Sequence, residues 1–228
     1  MKSERLFIFD WPKEELEFIK DYCASFDLKD AEYVNDVPID CKTAEECIDI
    51  NHWSFDAADQ NVSLDGKYYS FSNNKGEDTP REAGLPIHSL VPAHSDDFDE
   101  KFEELVSTMA RKNIEEFKDS ENILVRRAAF YLYDVDNFMG WHTNSASPAW
   151  RIYLTYTEEP NKSYICHFDE ETQKVVKSYD KEGITCRAFN LKDYPPLKHS
   201  VLSQTKRWSI GFRIFDGDKC SYCGSKIK

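Results

Sequence analysis

The carboxy-terminal half of the chain consists mainly of short runs in which apolar and polar residues alternate. From residue 207 to residue 213, bulky apolar side chains fill every second position, with small or polar side chains between them. A period of two predicts β-strands. The predicted strands lie near 122–135, 139–144, 149–157, 163–169, 174–180, 184–191, 198–203 and 207–215. Short strands at this spacing favour a two-sheet jelly roll, whose interior can hold a ligand.

The amino-terminal half follows a different pattern. Pro12 with the acidic pair Glu14 and Glu15 is typical of a helix start, and apolar residues then recur on one helical face. A second apolar stripe predicts a helix from about 97 to 118, whereas residues 34–97 have no sustained period and read as irregular.

These patterns predict an α+β fold in a single domain over residues 1–228. Residues 1–120 would form a cover of helices and loops, with the helices packed on one face of the sheets. Residues 121–216 would form the jelly-roll core, a double-stranded β-helix, and residues 217–228 a carboxy-terminal tail.

Composition narrows the classes of function. The hydrophobic fraction of 40% indicates a globular chain, and a net charge of -13 makes nucleic acid a poor partner. No apolar run approaches the roughly 20 residues of a membrane helix, and the first ten residues lack the apolar stretch of a signal peptide. We therefore expect a cytoplasmic protein that does not enter membranes. Cys220 and Cys223 form a CxxC motif, but the spacing offers no second pair for zinc.

The residues that suggest chemistry are two histidines and an arginine in predicted strands. His142 comes first, His199 lies in a later strand, and Arg207 follows eight positions on. In extended strands Asn144 would share a face with His142, and Ser209 would share one with Arg207. Two imidazoles suit a non-haem iron site, and a guanidinium beside a hydroxyl suits a carboxylate.

In this arrangement the segment from about 128 to 214 resembles the double-stranded β-helix core of the Fe(II)- and 2-oxoglutarate-dependent oxygenases. That family has His-X-Asp or His-X-Glu on an early strand, a distal His, and an Arg eight to ten residues later, often followed by Ser two positions on. His142, His199, Arg207 and Ser209 match these positions. Residues 140–144 and 150–154 also resemble uncharacterised oxygenase-like proteins of phages and marine bacteria.

The resemblance implies a function and a set of roles. Iron(II) would be bound by His142 and His199, with Asn144 or water as the third ligand. The co-substrate 2-oxoglutarate would be held by Arg207 and Ser209, and Tyr153 is the further candidate for contacting it. The reaction would be an oxidation, such as hydroxylation, of a small-molecule or protein substrate that the sequence does not identify.

Asn144 departs from the family pattern, which has a carboxylate at this position. The amide oxygen can ligate the metal, the amide can hold a water in the third position, or the position can stay open to a halide, as in members that halogenate. Lost activity is a further alternative. Asp136 or Asp169 could supply a carboxylate instead, although neither lies at the motif position. A cupin-like metal protein or a non-catalytic jelly-roll module would not require Arg207.

Overall fold

The computed structural model describes most of the carboxy-terminal half and parts of the amino-terminal half. The described residues are 5–27, 29, 32–34, 45, 48–50, 53–55, 61–64, 67–70, 87–89, 96–144, 149–192, 195 and 197–217. The predicted tail beyond residue 217, with its Cys220 and Cys223 pair, lies outside them.

Strands dominate the described residues. They are β1 (Leu6–Phe9), β2 (Glu32–Val34), β3 (Trp53–Phe55), β4 (Asn61–Leu64), β5 (Lys67–Ser70), β6 (Ile87–Ser89), β7 (Ile123–Tyr133), β8 (Asn137–His142), β9 (Trp150–Thr157), β10 (Ser163–Asp169), β11 (Lys174–Tyr179), β12 (Gly183–Asn190), β13 (His199–Ser203) and β14 (Arg207–Asp216). The helices are α1 (Lys13–Ala24), α2 (Asp96–Asn113) and a one-turn 3-10 helix (Glu115–Phe117).

The strands form antiparallel sheets. A seven-stranded sheet has the order β1-β12-β9-β14-β7-β6-β2, a four-stranded sheet the order β11-β10-β13-β8, and β3-β4-β5 form a third sheet. From β7 onward the chain passes repeatedly between the large and the small sheet, which is the winding of a jelly roll. The eight strands predicted from the alternation agree with β7 to β14, with ends that differ by at most two residues.

The two faces of the large sheet differ in composition because successive side chains of a strand point to opposite faces. The outer face is apolar and meets the helices: the Phe102 ring of α2 stacks on Phe212 at 5.5 Å, and Tyr22 of α1 stacks on Phe130 at 5.4 Å. The inner face packs against the small sheet. That inter-sheet cluster includes Tyr133, Tyr153 and Phe189 from the large sheet and Met139, Ile165 and Val201 from the small one.

The expectation that residues 34–97 are irregular was wrong where the structure describes them. The short strands β3, β4, β5 and β6 lie in the described part of that range, and β6 pairs with β7. β1, near the amino terminus, pairs with β12, so both β1 and β6 widen the large sheet. Strands of three or four residues are too short to establish a period, and the partners of β1 and β6 are remote in sequence. α2 also ends earlier than predicted, since Ile114 has extended dihedrals, φ -115 and ψ 111.

Candidate metal and co-substrate site

The two predicted metal ligands lie side by side. His142 ends β8 and His199 begins β13, and antiparallel pairing makes them direct register partners. Their ring centroids are 4.1 Å apart, and both residues are buried: His142 is 6% exposed and His199 is 5% exposed. Sheet pairing thus brings together two imidazoles that are far apart in the sequence. Trp141, beside His142, is fully buried and donates its Nε1–H to the carbonyl of Ile48 at 2.6 Å, which ties β8 to the amino-terminal region.

Hydrogen bonds to the backbone orient both imidazoles. Nδ1 of His142 lies 2.8 Å from the carbonyl of Gly140, and Nδ1 of His199 lies 2.8 Å from the carbonyl of Leu197. A carbonyl only accepts, so each Nδ1 carries the proton and each Nε2 keeps the lone pair that a metal requires.

Burial keeps both imidazoles neutral. Burial lowers the pKa of His142 to about 4. The bond to the Gly140 carbonyl raises this pKa, and the charge of Arg151 lowers it further. Burial and then the neighbouring His142 lower the pKa of His199 well below its ordinary value. A neutral imidazole is the form that binds a metal, so at neutral pH no proton has to be displaced.

Asn144 lies beside the histidines, but not for the predicted reason. The expectation that it shares a strand face with His142 was wrong, because β8 ends at His142 and Asn144 has a φ of 56°. Asparagine adopts this left-handed conformation more readily than most residues. Its Nδ2 lies 3.1 Å from Nε2 of His199 and donates to that lone pair. A metal on Nε2 therefore requires the amide to withdraw or to present its oxygen.

Among the described residues, no carboxylate joins the two histidines. Within the described part of the chain, no group of three His, Cys, Asp or Glu is placed to hold a metal. Asp169, considered as a substitute, instead accepts a bond from Thr172 Oγ1 at 2.7 Å in the turn after β10, and Asp136 is exposed in the turn before β8. Both alternatives were wrong. The donor set that remains is two imidazoles and one amide, which fits a divalent metal with open positions.

Arg207 is fully buried at the start of β14. Its Nε donates to Asp180 Oδ2 at 2.9 Å, and its Nη2 donates to Thr155 Oγ1 at 3.2 Å. The guanidinium lies 4.9 Å from the centre of the Tyr133 ring. Its Nη1 is buried and has no hydrogen-bond partner among the described residues. A buried donor without a partner is costly, so this atom marks a position where a ligand acceptor would fit.

Asp180 joins Arg207 to a second buried arginine. Arg187 donates to Asp180 Oδ1 at 2.5 Å, and Ser163 donates to Oδ2 at 2.5 Å. Burial alone would raise the pKa of Asp180, but the charges of Arg207 and Arg187 outweigh it and hold the pKa at about 2. The cluster of two guanidinium groups and one carboxylate therefore carries one net positive charge.

Sequence reasoning missed Asp180 and Arg187. Arg187 offered a weak signal, since it is a charged residue within a largely apolar strand. Asp180 offered none, because an acidic residue just after a strand is ordinary in a turn. Only the folded chain reveals that the two side chains meet.

Ser209 and Tyr153 also face the small sheet. Ser209 is 3% exposed and lies opposite Thr155 in the register. The Tyr153 ring lies over Gly211, where a Cβ would approach Tyr153 Cε1 to 2.5 Å, and it meets Phe189 edge-on at 5.4 Å. The Phe189 ring in turn lies 5.8 Å from the His199 ring. Side chains between the two sheets thus connect the arginine end to the histidines.

The strand register gives the separation of these two groups. On β10, Ser163 contacts Asp180, and His167, four residues further on, is the partner of His199. Four residues of a strand span about 13 Å. The histidine pair and the buried arginine thus border the same inter-sheet space.

Comparisons with known proteins find relatives by structure alone. No protein-family model matches the chain, and no curated protein matches it by sequence. Among solved structures, an oxidoreductase of the 2OG-Fe(II) oxygenase family from Burkholderia pseudomallei superposes with a TM-score of 0.53 at 12% identity, covering 96% of this chain and 88% of that chain. A Pseudomonas putida prolyl-4-hydroxylase reaches a TM-score of 0.46 at 11% identity, with 91% and 90% covered.

The likeness to the Burkholderia pseudomallei structure establishes the fold. The chain has the jelly-roll architecture of that 2OG-Fe(II) oxygenase-family oxidoreductase. Among the described helices, none combines the length and the apolar character needed to cross a membrane.

Proposed function

We propose that this protein is an Fe(II)- and 2-oxoglutarate-dependent oxygenase. The observation that carries the proposal is Nη1 of Arg207, which has no partner among the described residues and is fully buried in a cluster with one net positive charge. One further carboxylate would neutralise this cluster. The histidines border the same inter-sheet space, so a molecule with a metal-chelating end and a carboxylate end suits both groups.

The protein residues have separate roles in this proposal. His142 and His199 bind iron through their Nε2 lone pairs, and the carbonyls of Gly140 and Leu197 hold the rings in that orientation. Asn144 or a water takes the third position. Bound iron with 2-oxoglutarate and oxygen supplies the oxidising chemistry, which we expect to hydroxylate a C–H bond of the substrate.

Arg207 binds the far carboxylate of 2-oxoglutarate, with Ser209 and Tyr153 as further hydroxyl donors. Asp180 and Thr155 hold the guanidinium through Nε and Nη2, so Nη1 is aligned before the ligand arrives. Such preorganisation reduces the entropic cost of binding. Burial also excludes the water that would otherwise compete for the guanidinium.

Because no described carboxylate lies beside the histidines, a second reaction has to be considered. A neutral Asn144 leaves room at the metal for an additional anion, and a halide there would redirect oxidation to halogenation. Measuring oxidised substrate by mass with and without chloride tests this alternative. A chlorine-bearing product would identify a halogenase, and oxygen incorporation at every chloride concentration would identify a hydroxylase.

The decisive experiment compares keto acids. Protein loaded anaerobically with iron(II) is titrated with 2-oxoglutarate and with 2-oxobutanoate, which lacks the far carboxylate, while the weak visible band of the chelate is followed. We expect 2-oxoglutarate to bind at least tenfold more tightly, because charge-assisted bonds to Arg207 contribute about 1.5–3 kcal/mol. Equal affinities would contradict the proposal.

A conservative substitution tests whether Arg207 is the residue that binds the far carboxylate. Arg207→Lys keeps the charge but loses the planar fork, so we expect 2-oxoglutarate affinity to fall about 30-fold and 2-oxobutanoate affinity to stay unchanged. Lys118→Gln changes a side chain that is 63% exposed and serves as the surface control. Iron binding without any chelate band would favour the cupin-like alternative, and binding of neither would favour a non-catalytic module.

The remaining expectations extend the proposal. We place the enzyme in the cytoplasm, with a small-molecule or protein substrate and with no role for nucleic acid or membranes. Helices on the outer face of the large sheet would keep that side of the core dry. The similarity to phage and marine-bacterial proteins stays a sequence-based prediction.

A further inference from the structure

Arg151 is a third buried cation of the inner face, at the end opposite Arg207 and Arg187. It lies on β9 in the same alternating row as Tyr153 and Thr155, and only 6% of it is exposed. Its Nε has no hydrogen-bond partner among the described residues, and none of their carboxylates forms an ion pair with it. Burying a guanidinium without a counter-charge is costly.

Two further arginines lie beside Arg151 on the neighbouring strands and form with it a row across the sheet. Arg213 on β14 is the register partner of Arg151, and Arg126 on β7 is the register partner of Arg213. Exposure increases in that order, from buried Arg151 through partly buried Arg213 to exposed Arg126. Burial and the positive charge of Arg151 lower the pKa of Arg213. The row thus leads from solvent to the inside of the jelly roll.

The histidines lie close to the inner end of this row. The register partner of Arg151 on β12 is Phe189, whose ring lies 5.8 Å from that of His199.

Arg151 and Arg207 are well separated. On β14, Arg213, the partner of Arg151, follows Arg207 by six positions, which corresponds to about 20 Å. One small dicarboxylate cannot occupy both ends, so the Arg151 end requires an anion of its own.

We propose that Arg151, with Arg213, binds an anionic group of the substrate, a carboxylate or a phosphate, next to the histidine pair. That the bound anion belongs to a substrate rests on the proposed oxygenase function, whereas the anion site itself does not. Guanidinium groups on neighbouring strands can bracket one oxyanion with several N–H donors. In a chain with a net charge of -13, a cationic row also concentrates anions at one entrance.

Calorimetric titration tests the anion site with defined probes. Inorganic phosphate and acetate are titrated separately into protein preloaded anaerobically with iron(II) and 2-oxoglutarate, so that Arg207 is already occupied. We expect the better probe to bind at least tenfold more weakly to Arg151→Gln and more weakly to Arg213→Gln. We expect no change in Lys118→Gln, which removes one exposed charge. Whichever probe binds more tightly identifies the anion class.

The chelate band separates this inference from the proposed function. We expect Arg151→Gln to bind 2-oxoglutarate as the wild type does, while circular dichroism confirms its fold. A loss of 2-oxoglutarate as large as that in Arg207→Lys would assign Arg151 to the co-substrate and overturn the inference. Unchanged phosphate and acetate binding in both folded arginine variants would also overturn it. Arginine-dependent anion binding in a wild type that never binds 2-oxoglutarate would support the anion site and refute the oxygenase.

Should Arg151→Gln not fold, Arg151→Lys and Arg213→Gln carry the same test. The lysine keeps the charge and loses the fork, so a severalfold weakening of anion binding supports the inference. Wild-type affinity in both variants overturns it.

Discussion

The two ends of the inner face of β9 and β14 handle buried positive charge in different ways. At one end Arg207 and Arg187 share Asp180, and most of their N–H groups have protein partners. At the other end Arg151 lies buried with no ion pair among the described residues. Buried charges are normally paired, so the first end is largely complete in the protein and the second is not.

The difference indicates where ligands belong. Among the described residues, the paired end leaves Nη1 of Arg207 without an acceptor, and this position suits a small carboxylate. At the other end the described residues supply no counter-charge for Arg151, and the arginines become more exposed across the sheet. Phe189 lies between these ends and the histidine pair, because its ring contacts both Tyr153 and His199.

Removing the Asp180 carboxylate should have the largest effect, because it leaves the buried arginines of the paired end without a counter-charge, as Arg151 is at the other end among the described residues. In Asp180→Asn two buried guanidinium groups lose their counter-charge, and breaking a buried ion pair costs about 3–5 kcal/mol. We expect the free energy of unfolding, measured in urea, to fall by about 4 kcal/mol. Glu115→Gln removes an exposed partner of Lys118 and should change little. A loss as small as in that control would mean that the buried network contributes nothing.

Acid should weaken the paired end over a defined range. Since the folded state lowers the pKa of Asp180 from 3.8 to about 2, its stabilisation is complete above pH 3.8 and is lost as the pH falls towards 2. The expected loss is about 2 kcal/mol. Ser163→Ala removes one donor to the carboxylate and so raises its pKa in the folded state. The loss in this variant should begin at the same pH but should be smaller and should end at a higher pH. Urea titrations between pH 5 and pH 2.5 measure the difference, with Ser107→Ala, which removes an exposed hydrogen bond of α2, as control. Superimposable pH profiles for Ser163→Ala and the wild type would contradict this account.

The middle of the inner face can be tested through Gly211. A Cβ there would lie 2.5 Å from Tyr153 Cε1, so Gly211→Ala must displace the ring. Overpacking of this kind costs about 1 to 2 kcal/mol. If Tyr153 contacts the co-substrate, 2-oxoglutarate affinity should fall together with stability. Tyr153→Phe, which keeps the ring and removes only the hydroxyl, is the matched variant, and normal binding in Tyr153→Phe would exclude a role for that hydroxyl.

The smallest of these effects is expected for Asn144→Asp, which changes metal affinity at the histidine pair between the two ends. A carboxylate beside two imidazoles adds a charged metal ligand, so we expect iron(II) or cobalt(II) affinity in equilibrium dialysis to rise about tenfold, or 1.4 kcal/mol. Asn161→Asp makes the same change at an exposed position with a similar φ of 62°. A rise in Asn161→Asp equal to that in Asn144→Asp would mean that general charge, and not ligation, causes it.

Part of the candidate site could be read in the sequence because it depends on local pattern. The period of two between 122 and 215 located β7 to β14, and the order His142, His199, Arg207 placed three inward side chains on three of these strands. The same pattern failed for Asn144, since the strand stops before it and the residue turns to a positive φ. Strand ends depend on pairing partners, which periodicity does not reveal.

The sequence by itself determined which strands form and which side chains of each share a face, since alternation is a property of consecutive residues. Only the tertiary structure decided that Asp180 pairs with both Arg187 and Arg207, and that no carboxylate among the described residues pairs with the buried Arg151. Charge pairing depends on distances between strands that are remote in the chain. A local pattern carries no information about those distances.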